Sequence, residues 1–282
     1  MTRHFSLNLR GRLASLDRPW VMGIVNLTPD SFYAASRQQT EDEVRRRVRQ
    51  VVAEGADIID IGACSSRPGA ADTRCEEECE RLRRGLRLVR EEAPGVIVSV
   101  DTWRADVARM AVEEAGADMV NDIAGGTLDE AMFATVARLG VPYVLMHLRG
   151  TPQTMQAEAV YDDVVREVLI FLQERLDRLH ELGARDVIVD PGFGFAKTLA
   201  HNYALMARLA DFAALDAPLL VGVSRKSMIY RLLDTTPEGA LNGTTALHMA
   251  ALASGAHILR VHDVREAVEC VRIYEEIRKN SL

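Results

Sequence analysis

The sequence predicts an α/β protein built as one (β/α)8 TIM-type barrel. Three features carry that prediction: eight short apolar runs, a helical pattern after each, and a polar residue at the end of every run. The runs cover residues 21–25, 57–61, 96–101, 118–121, 143–147, 187–190, 218–223 and 257–261. They are almost continuously apolar rather than alternating, as expected for parallel strands covered on both faces. An open, doubly wound sheet would use the same elements. Against it, no Gly-x-Gly-x-x-Gly follows the first run. No linker or compositional shift divides the 282 residues, so one domain is expected over 1–282, with its core at about 20–275. That length suits a barrel, for which about 250 residues is typical.

The remaining elements follow in chain order. Residues 1–12 alternate polar and apolar positions, carry Arg3, Arg10 and Arg12, and lack the apolar stretch of a secretory signal. Helix starts are expected at Thr40-x-x-Glu43, Thr73-x-x-Glu76 and Thr127-x-x-Glu130, which read as capping boxes. Helix ends are expected at Gly55, Gly116, Gly140, Gly183 and Gly255, each placed before an apolar run where a left-handed cap belongs. Their uneven spacing excludes a solenoid. The longest helix, about 158–182, lines up Val164, Val168, Leu172, Leu176 and Leu179. The charged stretch Arg45 to Arg49 reads as an exposed helix face, and Leu145 and Met146 read as core.

Composition excludes some functions. Lys+Arg number 34 against 41 Asp+Glu, a net charge of −7, whereas a nucleic-acid binder needs a basic surplus. Aromatic residues are only 5%, too few for base-stacking platforms. No run reaches the roughly 18–20 apolar residues that span a membrane. Cys64, Cys75, Cys79 and Cys270 fit neither a disulfide framework nor a zinc site, and read as reduced thiols of a cytoplasmic protein.

The chemistry lies where the runs end. These ends are Asn26, Gly62 after Asp60, Asp101, Asn121-Asp122, His147, Asp190, Ser224-Arg225-Lys226-Ser227 and Arg260-Val261-His262-Asp263. A strand-end Asp also caps helices, Asp60 inside its strand also suits a support for the second loop, and His147 also suits a satisfied histidine at the barrel mouth. Their confinement to one face is the stronger signal, because barrel enzymes build active sites at that face. Asp101, Asn121 and Asp190 offer acceptors to the N–H edge of a flat heterocycle. At the opposite side of the mouth, Arg67, Lys226, Arg260 and His262 suit a phosphate or carboxylate. No activated nucleophile stands out. The ligand indicated is an anionic small molecule with a polar ring.

Seven stretches, in order, resemble the dihydropteroate synthases of the folate pathway. They are Met22-Gly-Ile-Val-Asn-Leu-Thr-Pro-Asp-Ser-Phe32, Ser66-Arg-Pro-Gly-Ala70, Val100-Asp-Thr102, Asn121-Asp-Ile123, Asp190-Pro-Gly-Phe-Gly-Phe195, Ser224-Arg-Lys-Ser227 and Arg260-Val-His-Asp263. The resemblance implies condensation of 6-hydroxymethyl-7,8-dihydropterin pyrophosphate with p-aminobenzoate, assisted by Mg²⁺, in an SN1-like reaction. It implies pterin contacts from Asp101, Asn121, Asp190 and Lys226, and an anion site from Arg260 and His262. Asn26 would face the Mg²⁺. Phe195, Ser227 and Pro68 would line the aminobenzoate pocket, and Asp30, Phe32, Ser66 and Arg67 would sit on two mobile loops. Catalytic parts fall to Asp101, Lys226, Arg260, His262, Asp30 and Arg67. A homodimer is implied, with no nucleic-acid or membrane partner. Three places depart from the family: Tyr33-Ala34-Ala35-Ser36 for Ser-Asp-Gly-Gly, Ala63-Cys64-Ser65 for Gly-Glu-Ser, and Ala196 for Gly. Alanine restricts positive φ wherever the family glycine uses it.

Overall fold

A computed structural model describes residues 4–27, 37–64 and 73–281, with backbone only for 37–40. The chain opens with an antiparallel hairpin, β1 (Ser6–Leu9) and β2 (Arg12–Ser15). Its turn residues Arg10 and Gly11 have φ of 53° and 90°, the left-handed pair that a two-residue hairpin needs. The sequence reading placed no strand here. Its alternation is that of a half-buried ribbon: Leu7 and Leu9 are buried against Trp20, Met22, Ile58, Met119 and Ile188, so the hairpin closes the bottom of the sheet.

Eight parallel strands follow: β3 (Trp20–Asn26), β4 (Ile58–Gly62), β5 (Ile97–Asp101), β6 (Met119–Asp122), β7 (Tyr143–Met146), β8 (Val187–Asp190), β9 (Leu220–Val221) and β10 (Ile258–Val261). Their order is β8-β7-β6-β5-β4-β3-β10-β9. The Val189 N–H donates to Pro218 O at 2.9 Å, and Val189 forms a parallel bridge with Leu219, so the last strand meets β8 and the sheet closes. Closure rules out the open sheet. β9 is shorter than the run 218–223 because the chain turns back at once. Lys226 N donates to Val223 O at 3.1 Å, and Arg225 takes φ 53°.

Nine helices are described: α1 (Arg37–Ala53), α2 (Cys75–Glu92), α3 (Ala105–Glu113), α4 (Met132–Leu139), α5 (Val164–Glu181), α6 (Leu199–Ala207), α7 (Ser227–Tyr230), α8 (Leu241–Ala253) and α9 (Val264–Lys279). The five helix-ending glycines all have positive φ, and the α5 stripe from Val164 to Leu179 is buried. The capping boxes fare differently. α1 starts before Thr40, α2 is preceded by Arg74 without a side-chain cap, and the Thr127 hydroxyl donates to Ala124 O ahead of α4. Real side-chain caps are Asp163 on α5 and Thr198 with His201 on α6. All four cysteines are free, and among the described residues no helix is long and apolar enough to cross a membrane.

Candidate active site at the strand ends

The parallel register sets Gly62 beside Asp101 and Asp101 beside Asn121 at the C-terminal ends of β4, β5 and β6. A Cβ on Gly62 would stand 3.2 Å from that of Asp101, so the glycine leaves the carboxylate its room. From β10, Arg260 reaches across: its Nε is 2.7 Å from Asp60 Oδ2, and its Nη2 is 2.6 Å from Asp101 Oδ2. Asn121 Nδ2 donates to the same Asp60 oxygen at 3.0 Å. Asp60 is fully buried, and its Oδ1 has no hydrogen-bond partner among the described residues. Burial pushes the Asp101 pKa up to about 7, against the pull of Arg260, and Asp60, Glu78 and Asp122 add to the rise. Burial opposes the charge on Arg260, but Asp60 and Asp101 outweigh it and hold the guanidinium protonated.

Two sequence expectations change here. Acceptors and cations do not occupy opposite sides, because Arg260 lies between two carboxylates. Asp60, read as a support for the second loop, is the centre of the network. A carboxylate inside an apolar strand was the signal for it, since such a group persists only when paired.

The second half of the site hangs from β8 and β9. Asp190 Oδ1 accepts from Gly192 N at 2.7 Å, and burial raises the Asp190 pKa despite the nearby Lys226 charge. Lys226 Nζ donates to Phe193 O at 2.5 Å and sits 4.7 Å from the Phe195 ring centroid. Burial lowers its pKa to about 8, with Asp190 opposing. Ser227 begins α7 beside it. The loop 191–195 is clamped by Lys197, which the sequence reading did not single out as a site residue. Its buried Nζ lies 2.9 Å from both Gly192 O and Phe195 O, and 3.0 Å from His147 Nδ1. His147 is thus a satisfied mouth histidine, stacked edge-on to Phe171 at 4.6 Å. A Cβ on Gly192, at φ 71°, would lie 2.1 Å from His147 O, so only glycine allows this close approach. Lys197→Met strands these acceptors and is expected to destabilise by about 3 kcal/mol. The corresponding fall in Tm, roughly 5–10 °C, is measurable by calorimetry; an unchanged Tm would show that the loop holds without the clamp.

His262 follows β10. Its N–H donates to Ser224 Oγ at 3.1 Å, and its Nδ1 lies 3.2 Å from the same oxygen. Desolvation first, then the charges of Arg260, Arg47 and Lys226, push its pKa down to about 4, against Asp263. Asn26 ends β3 exposed to solvent. Asp122 is structural: it accepts from Tyr143 Oη at 2.6 Å, Ala124 N at 2.7 Å and Gly126 N at 2.8 Å. Arg225 is spent on Asp263, with both contacts at 2.8 Å. Asp30, Phe32, Ser66, Arg67 and Pro68 lie outside the described residues. Of the family departures, Ala196 sits at φ 49°, in the strained left-handed region, whereas Ala63 does not take a positive φ.

The charged stretch of α1 is also more than a surface. Arg45 does pair with Glu91 and Glu92 on α2, but Arg47 turns inward to the ends of β3 and β10. Periodicity carries no signal for it, because three neighbouring arginines share its composition.

Known proteins share this fold and much of this sequence. The family described as pterin binding enzyme matches residues 22–262. The dihydropteroate synthase of Escherichia coli (strain K12) is 42% identical over 268 residues, 94% of each chain. The Xanthomonas albilineans dihydropteroate synthase, solved with 4-aminobenzoic acid, superposes with a TM-score of 0.88 at 39% identity, covering 97% of this chain and 98% of that one. The Thermus thermophilus dihydropteroate synthase, solved in complex with 6HMPPP, gives 0.83 at 41% identity, covering 97% and 99%. The chain belongs to the pterin-binding enzymes and, among them, to the dihydropteroate synthases, transferases of folate biosynthesis.

Proposed function

We propose that this site joins the pterin methylene of 6-hydroxymethyl-7,8-dihydropterin pyrophosphate to the amino group of p-aminobenzoate. The carboxylate–guanidinium network of Asp60, Arg260, Asp101 and Asn121 is the observation that carries this reading. Because Asn121 Nδ2 is committed to Asp60, its carboxamide oxygen remains an acceptor, as do Asp101 and Asp190. Three acceptors facing one space suit the N–H edge of a pterin. Lys226, held between Phe193 O and the Phe195 ring, contacts the same ring system, and Phe195 and Ser227 begin the aminobenzoate pocket.

The methylene–oxygen bond breaks first, and its electron pair leaves with the diphosphate. The cation left on the pterin is stabilised by Asp101 and Asp190. The aromatic amine then forms the carbon–nitrogen bond and sheds one proton. No strong base is required, and among the described residues none is arranged for it. Arg260 and His262 border the diphosphate end, with Asp30 and Arg67 contributing from the two loops.

The donor set is compatible with Mg²⁺. Asn26 supplies one neutral oxygen, and among the described residues no group of three His, Cys, Asp or Glu could hold a metal by itself. That is the sparse protein contribution expected where phosphate oxygens and water complete the shell. Mg²⁺ would neutralise charge on the departing diphosphate. Purified protein given both substrates and Mg²⁺ should release pyrophosphate and form dihydropteroate; tight pterin binding without product overturns the catalytic reading.

A homodimer also belongs to this reading. α8 has no charged residue, and its exposed positions Asn242, Ala246, Ala250 and Ala253 form one small-residue stripe. Ile273 and Ile277 on neighbouring α9 are each 55% exposed. Sedimentation equilibrium decides it, and a monomer at micromolar concentration overturns it. Four free cysteines fit a reducing cytoplasm.

A further inference from the structure

The β3–β10 ladder ends at Gly23 and Val261, yet β3 runs on for three residues to Asn26. A notch is left between the two strands whose ends carry Asn26 and His262. The half-buried Arg47 of α1 fills it. Its Nε and Nη2 lie 3.4 Å and 3.3 Å from Ile24 O, and its Nη2 donates to His262 O at 2.6 Å. The guanidinium therefore supplies the rung that the backbone cannot make.

The same side chain brings an uncompensated charge. Arg45 and Arg49 pair with Glu91 or Glu92, and Arg46 lies near Glu43, but no carboxylate is within ion-pair distance of Arg47 among the described residues. Glu54 and Asp263 attract it only from farther off, and Asp263 is already gripped by Arg225. A cation whose nearest partners are two carbonyl oxygens costs desolvation without an ion pair in return. Such an arrangement suits a site completed by an anion.

We propose that Arg47 is a positioning residue for the diphosphate end of the substrate: it pins the His262 carbonyl to β3 and adds positive potential behind His262 and Asn26. The charged and titratable groups facing His262 are then Arg260, Lys226, Asp263 and Arg47. This inference rests on the functional reading above, which places the diphosphate at that end.

The test is equilibrium binding of the pterin pyrophosphate, of 6-hydroxymethylpterin without the diphosphate, and of inorganic pyrophosphate with Mg²⁺. Arg47→Met is expected to weaken the two diphosphate ligands by about tenfold, the scale of one partly screened charge, while the bare pterin changes less than twofold. Arg47→Lys keeps the charge without the fork, and should recover part of that loss. Equal weakening of both pterins would mean general damage to the mouth, and no weakening of any ligand would remove Arg47 from the site; either overturns the proposal. Should Arg47→Met fail to fold, Arg47→Lys decides alone: it must weaken the diphosphate ligands selectively, and unchanged or equal affinities count against the inference. Failure of the functional reading looks different. In that case the unaltered protein itself binds pterin equally well with and without its diphosphate.

Discussion

Arg260→Met is expected to lower kcat/KM for the condensation by at least about 100-fold. One guanidinium serves two carboxylates, at 2.7 Å to Asp60 and 2.6 Å to Asp101, and Asp60 is wholly out of solvent. Removing one partner of a buried ion pair costs about 3–5 kcal/mol, and each 1.36 kcal/mol is tenfold in rate. Without the guanidinium, which holds its pKa down, Asp101 would take up a proton more readily, and a protonated Asp101 no longer offers the pterin edge a full charge. The loss should therefore appear in the binding of bare pterin as well as of the diphosphate-bearing substrate. That differs from a purely anion-gripping Arg260, whose removal would spare bare pterin. Calorimetric titration with the two ligands separates the cases: selective loss of the diphosphate ligand would show that the carboxylates stand without Arg260. The contrast with Arg47→Met, which should spare bare pterin, tests both assignments at once.

The barrel was legible because its strands are buried on both faces and so are written as apolar runs, and because left-handed caps demand glycine. Gly55, Gly116 and Gly255 mark three helix ends without ambiguity. The hairpin was missed because Leu7 and Leu9 are too few to distinguish a half-buried ribbon from an irregular terminus. Thr73 and Thr127 imitated caps because a Thr-x-x-Glu spacing says nothing about where the backbone turns helical. The site was legible to the extent that strand ends converge, which assembled Asp101, Asn121, Asp190, Lys226, Arg260 and His262 at one mouth. Pairing was not legible. Whether Arg260 faces a ligand or Asp60 depends on side-chain reach across the barrel between residues 200 positions apart. Lys197 and Arg47 act on backbone carbonyls, and a carbonyl has no sequence signature. Their positions had to be seen in three dimensions.

The pH dependence should be a narrow bell centred between about 7 and about 8. Asp101 must be ionised to accept from the pterin, and its pKa is raised to about 7, by burial foremost. Lys226 must be protonated to carry its charge over the Phe195 ring, and burial lowers its pKa to about 8. The signs follow directly. As pH falls through about 7, Asp101 gains a proton and kcat/KM declines about tenfold per unit; as pH rises through about 8, Lys226 loses one and kcat/KM declines again. His262, with its pKa near 4, is neutral across this range and contributes neither limb. Two variants assign the limbs. Lys226→Arg keeps a cation that does not titrate, so its profile should stay flat well above pH 8, at reduced height. Asp101→Asn should lose the acidic limb in the same way. Because kcat/KM reports the free protein, both limbs should also appear, at the same pH values, when pterin binding is followed directly without turnover. An alkaline limb that survives in Lys226→Arg would place the titrating group elsewhere, and a single flat profile in the unaltered protein would mean that the buried carboxylate and ammonium hold ordinary pKa values.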